Sequence, residues 1–288
     1  MNSGDGPFGP VVNGTQIVFF EYRPNKAAGF AFVALFGLAT IAHFVYFFWL
    51  RAWFFIPFLL GGIAEAFGYY GRALASDKPS EVGPFILQNL LLLSATPFLA
   101  ATVYMALGRI IAALEAQRYS FISIRWMTKI YVLIDIGCIA SQLIGSVLPA
   151  SGDADAIKKS RIILIAGLVT QLTALSLFLL TSWHVYRRVK QDIPGALIKD
   201  PSINWQNHFR AIILVTILMI VRSTVRSVEF LQGSKGFVIS HEVFIYVFDA
   251  SPMFIVMLTF LLVHPARLVR DTRRSESRYD DRIILNSR

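Results

Sequence analysis

Charge is scarce in this 288-residue chain: only 16% of its residues are Asp, Glu, Lys or Arg, against 55% hydrophobic and 14% aromatic. A soluble globule of that size needs more polar surface than this composition supplies, so an integral membrane protein is implied. Cysteine is reduced to Cys138, which excludes an intrachain disulfide and a thiolate metal cluster. Neither an H-E-x-x-H pair nor a G-x-x-x-x-G-K-S/T loop occurs, which removes the usual zinc-hydrolase helix and ATP-driven pumping. His43, His184, His208 and His264 fall toward one side of the membrane and His241 toward the other, with no i, i+4 pair, so no metal is expected. No lysine is expected inside any span, which would remove Schiff-base pigment chemistry, and no cofactor is expected.

What the chain has instead is long apolar runs. A crossing of the hydrocarbon core needs about 20 residues. Seven runs meet that need, at Ala27–Leu50, Trp53–Leu74, Phe85–Leu114, Trp126–Pro149, Arg161–Tyr186, Phe209–Leu231 and His241–His264. In lipid each must be helical, because unpaired backbone groups have no water to turn to. The predicted fold is therefore an all-α, seven-transmembrane-helix bundle. It divides into an extracellular tail (residues 1–26), a membrane domain (27–264) and a basic cytoplasmic tail (265–288), the last solvated and partly disordered. With the N-terminus outside, 17 Lys and Arg residues lie on the inner side against eight on the outer, which favours N-out, C-in. Asn13-Gly-Thr15 is a glycosylation sequon consistent with that orientation. The net charge of +9 is read as loop topology and attraction to an anionic leaflet, with no nucleic-acid partner.

Ionisable residues inside the runs carry the chemistry, because charge at membrane depth is expensive and faces a bundle interior or a pathway. Glu65, Tyr69 and Arg72 share one helical face in the second run; Asp135, Cys138 and Gln142 do so in the fourth. Arg222, Arg226 and Glu229 form a stripe in the sixth, and Glu242, Tyr246, Asp249 and Met253 in the seventh. Arg72 is expected to snorkel to the outer surface. Five acids against three bases would leave a shared chamber short of cations. The sixth-run trio also fits a buried ion-pair network that fixes helix register. Pro97 and Pro252 each withdraw a backbone donor, so the third and seventh helices are expected to kink or open.

In order, these motifs resemble the fungal lipid-translocating exporter family, the resistance-to-aminocholesterol (RTA-like) seven-span proteins. The resemblance is carried by Glu65-x-x-Gly68-Tyr69-x-x-Arg72, Gln88 with Tyr104-Met-x-Leu107-Gly108-Arg109, and Asp135-x-x-Cys138-x-x-x-Gln142-x-x-Gly145. It continues in Gly167-Leu168-x-x-Gln171, Arg222-x-x-x-Arg226-x-x-Glu229 and His241-Glu242-x-x-x-Tyr246-x-x-Asp249-Ala-x-Pro252. Ser94-Ala-Thr96-Pro97, Cys138 and the Ser146-Val147 break after Gly145 depart from the family pattern, which touches substrate choice more than fold. The resemblance implies a plasma-membrane protein tied to the movement of sphingoid long-chain bases or other amphiphilic amines. A carboxylate chamber suits such a cation, its wall taking the chain. On that reading Asp249 and Glu242, with Glu65 and Asp135, bind the headgroup. Tyr69, Tyr246, Gln142 and Gln171 bond its hydroxyls, and Arg222 and Arg226 hold Glu229. Two other classes stay open: a seven-span lipid sensor and a lipid-modifying membrane enzyme.

Overall fold

A computed structural model describes residues 7–12, 15–16, 18–120, 124–147, 154–192, 203–232 and 236–286. Its helices are α1 (Lys26–Trp49), α2 (Ile56–Asp77), α3 (Val82–Ala113), α4 (Ile124–Val147), α5 (Ala154–Gln191) and α6 (Trp205–Gln232). Helix α7 comprises Val243–Ile245, a π-helical turn Tyr246–Ala250 and Ser251–Leu262; α8 follows at Pro265–Asn286. Among the described residues seven helices are long and apolar enough to span a membrane, as the sequence predicts. Before them lies a small hairpin of β1 (Val11–Val12) and β2 (Thr15–Gln16). Asn13, the sequon asparagine, falls outside the described residues.

Consecutive helices pack side by side, and α7 closes the bundle between α6 and α1. Helices α2 and α3 are the most buried and α1 the least. Phe30, Leu38, Ile41, Phe44 and Phe48 of α1 point outward, as a lipid-facing wall requires. Phe36, Phe55, Phe58, Leu99, Tyr104 and Phe260 are wholly buried in the core. Close approach of α2 to α3 depends on Gly71: a Cβ there would lie 2.9 Å from the backbone nitrogen of Gln88. Small residues permit such contact between membrane helices, where packing is the main attraction.

The short link after α1, Leu50 to Ala52, works through a left-handed cap. Arg51 has φ 49°, and Ala52 N–H donates to Phe47 O at 3.0 Å while Arg51 N–H donates to Phe48 O at 3.2 Å. That pairing closes the helix as a Schellman motif, and a 3₁₀ turn at Trp53–Phe55 then starts the return. Helix α3 ends the same way at Glu115, φ 56°.

Three expectations change. The segment after His264 is helical, because Ala266, Leu268 and Thr272 are buried, α8 packs on α3, and Arg267 reaches the Tyr46 hydroxyl at 2.6 Å. Helix α3 runs unbroken through Pro97, whereas α7 opens before Pro252 into the π turn. Ser251 Oγ there donates to Tyr246 O at 2.8 Å, bonding a carbonyl in the widened turn. Lys129 does fall within α4, exposed and set over the Trp126 ring.

Candidate functional site

The polar stripes of α2, α6 and α7 meet at the end of the bundle that carries the N-terminal segment. Asp249 is at their centre. It receives Arg222 Nε, Arg226 Nη2 at 2.7 Å and the Tyr69 hydroxyl at 3.3 Å, and is 3% exposed. Arg226 also bonds Glu229, at 3.1 and 3.3 Å. Arg222 gives its second arm to Leu92 O at 2.7 Å, with Glu65 Oε1 at 3.8 Å from the same nitrogen. Two arginines on one carboxylate match the rule that a charge out of water must be paired and hydrogen-bonded.

A second group adjoins the first. Arg72 donates to Glu242 at 2.8 Å, Tyr246 at 3.1 Å, Tyr22 at 3.0 Å and Gln88 at 3.5 Å. Expected at the surface, Arg72 is instead 1% exposed, because the N-terminal segment folds over it. That segment is fastened by Arg23 Nε to Ser76 O at 2.8 Å, Asn25 N–H to Glu242 at 2.8 Å and a Phe19–Phe85 stack at 4.2 Å. Burial lifts the Tyr22 phenol above its usual range, with Arg72 opposing, so its hydroxyl stays a donor and acceptor.

Between these groups lies a cavity of about 140 Å³. Arg72, Arg222, Arg226, Glu229 and Asp249 line its charged side; Phe19, Phe85, Phe230, Phe244 and Phe248 contribute to its aromatic side. Glu229 is its most accessible carboxylate: the side chain is 21% exposed and holds one arginine.

Other expected members lie elsewhere. Asp135 is buried beside Tyr104 where α3 meets α4, close to Cys138, and among the described residues nothing joins it to the cluster. Gln142 donates to Gln171 at 3.0 Å across the α4–α5 contact. These three do not share the cavity, because the faces of α4 and α5 that bear them pack on each other and on α3. The sequence missed Tyr22 and Gln88, and misplaced Arg72. The Glu65-Tyr69-Arg72 stripe did carry a signal for Arg72, whereas Tyr22 sits in a tail with no periodicity to read. At the opposite end, His43 Nε2 lies 2.9 Å from Met257 O and its ring centre 6.4 Å from that of His264. Among the described residues no three His, Cys, Asp or Glu side chains are placed to hold a metal.

Residues 58–272 match the model of the RTA1 like protein family. The chain belongs to this family. It is 33% identical over 278 residues to Protoporphyrin uptake protein 1 of Saccharomyces cerevisiae, covering 84% of this chain and 90% of the relative. Protein RTM1 of the same yeast is 35% identical over 72% of this chain and 66% of its own. Sphingoid long-chain base transporter RSB1, also from that yeast, is 23% identical over 84% of this chain and 72% of its own. No solved structure matches. The RTA1-like cluster is thus set in an integral membrane protein whose relatives include a lipid transporter.

Proposed function

We propose that this RTA1-like protein moves an amphiphilic amine lipid, of the sphingoid-base kind, across the plasma membrane, with the N-terminal end of the bundle outside. The observation that carries the reading is the cavity in which a charged floor meets an aromatic wall. At about 140 Å³ it holds a headgroup and not a chain; drug-sized pockets run to about 300–1,000 Å³. The chain of the lipid would extend outward between helices into the bilayer. The yeast relative named for sphingoid-base transport supports the substrate class.

On this reading the acid that meets the ammonium is Glu229, not Asp249 or Glu242. Asp249 is occupied by two arginines and a phenol, and Glu242 by Arg72, Tyr246 and a backbone N–H. Glu229, exposed to the cavity and held among the described residues by Arg226, exchanges partners at least cost. An incoming ammonium pairs with Glu229, while Arg226 keeps Asp249.

The test is purified protein in liposomes with a labelled sphingoid base, following its leaflet exposure and its mass. Wild type should speed movement of unchanged lipid, and Glu229→Gln should slow it by about tenfold or more, the worth of one charge-assisted bond. Equal rates in a folded Glu229→Gln protein would remove Glu229 from the reading. No movement at all would favour a sensor, and a changed lipid mass an enzyme.

A further inference from the structure

The charges around the cavity do not cancel. Among the described residues Glu65, Glu229, Glu242 and Asp249 stand against Arg72, Arg222 and Arg226, so one negative charge is left over. Arg72 answers Glu242; Arg226 answers Glu229 and Asp249; Arg222 is bound to Asp249 and to Leu92 O. Glu65 is the remainder. It is 0% exposed, and neither carboxyl oxygen has a hydrogen-bond partner. The groups facing it are Arg222 and Arg226 from α6, Asp249 from α7 and Tyr69 of its own helix; α1 and α3 turn no titratable side chain to it among the described residues.

A carboxylate in that position, with no hydrogen bond, its nearest cation 3.8 Å away on Arg222 and Asp249 beside it, is strongly disfavoured. We infer that Glu65 is a proton-binding site, and that the cluster stays neutral in one of two ways: with a proton on Glu65, or with a cationic headgroup in the cavity. The second half rests on the transport reading above; the first does not. Entry of an ammonium at Glu229 adds the positive charge that Glu65 then gives up. The carboxyl O–H bond breaks and the proton leaves to bulk water. Arg222, 3.8 Å away, swings from Asp249 to the new carboxylate, while Arg226 remains on Asp249. No electron transfer is involved. The result is an exchange of one proton for one amine, which would let a pH gradient drive lipid movement.

Infrared spectroscopy of the purified protein, without lipid, tests the proton site. The wild type should show the carbonyl stretch of a neutral carboxylic acid at about pH 7, within the range over which buried glutamates hold a proton, and Glu65→Gln should lack it. If Glu65→Gln does not fold, the band should shift in Glu65→Asp. A wild-type spectrum without that band, or with a band unchanged by both substitutions, overturns the proposal. Adding a sphingoid base in phosphatidylcholine vesicles, in weak buffer, should erase the band and release about one proton per protein. Binding that leaves band and pH unchanged overturns the exchange. Lipid movement is read separately, so a silent liposome assay with the band intact counts against transport alone.

Discussion

Replacing Asp249 by Asn probes whether the cluster holds the bundle together. The substitution keeps shape and removes the one charge shared by Arg222 and Arg226. Arg226 would retain Glu229 at 3.1 Å, and Arg222 would retain Leu92 O at 2.7 Å with Glu65 at 3.8 Å. Removing one partner of a buried pair costs about 3–5 kcal/mol, because the other charge stays out of water. We take the lower end, about 3 kcal/mol, since both guanidinium groups keep a partner. For a chain of this length that corresponds to a fall in Tm of about 6 °C or more. Thermal unfolding in detergent, followed by near-ultraviolet circular dichroism, reads the shift. Pairing Asp249→Asn with Arg222→Gln completes a double-mutant cycle, whose expected coupling is about 1–3 kcal/mol. A single mutant melting within about 1 °C of wild type, with no coupling, would refute the view that Asp249 anchors the two arginines.

Two further outcomes follow from backbone geometry. Gly71→Ala should destabilise by about 1–3 kcal/mol by forcing α2 from α3, whereas Gly37→Ala, with nothing within 4 Å of the added carbon, should be neutral or stabilising; the same melts compare them. Arg51→Gly should stabilise by about 1 kcal/mol, because its left-handed φ costs an L side chain and not glycine. A lowered Tm would contradict that cap.

The bundle was legible because a span announces itself by length and apolarity, and because polar and charged residues sharing one face of a lipid-bathed helix have to turn inward. Which inward faces meet is a different matter, fixed by helix order and rotation that no single run encodes. Asp135-Cys138-Gln142, at i, i+3, i+7, marks one helical face just as Glu65-Tyr69-Arg72 does at i, i+4, i+7, yet Asp135 ends beside Tyr104 and Gln142 against Gln171. Arg72 was misplaced because snorkelling treats a helix end as bare, and here Tyr22 from a polar tail closes over it. Helix α8 was hidden by its charge: only its buried side, Ala266, Leu268 and Thr272, shows that it docks. Pro252 marked where α7 departs from regularity but not the form, a π turn lying just before it.

That turn sets the phase of α7. A π turn inserts one residue, and in an α-helix each residue is worth about 100° of rotation and 1.5 Å of rise. Asp249 lies inside the turn, whereas Glu242 lies before it. Were the insertion to slide or be removed, Glu242 and Tyr246 would be carried about a quarter turn away from Arg72 while Asp249 stayed on its arginines. The grip on Arg72 and the grip on Asp249 are therefore in register for only one winding of α7. Unwinding by a single residue would take Glu242 from Arg72 and from the Asn25 N–H of the N-terminal cover without moving the far half of the helix.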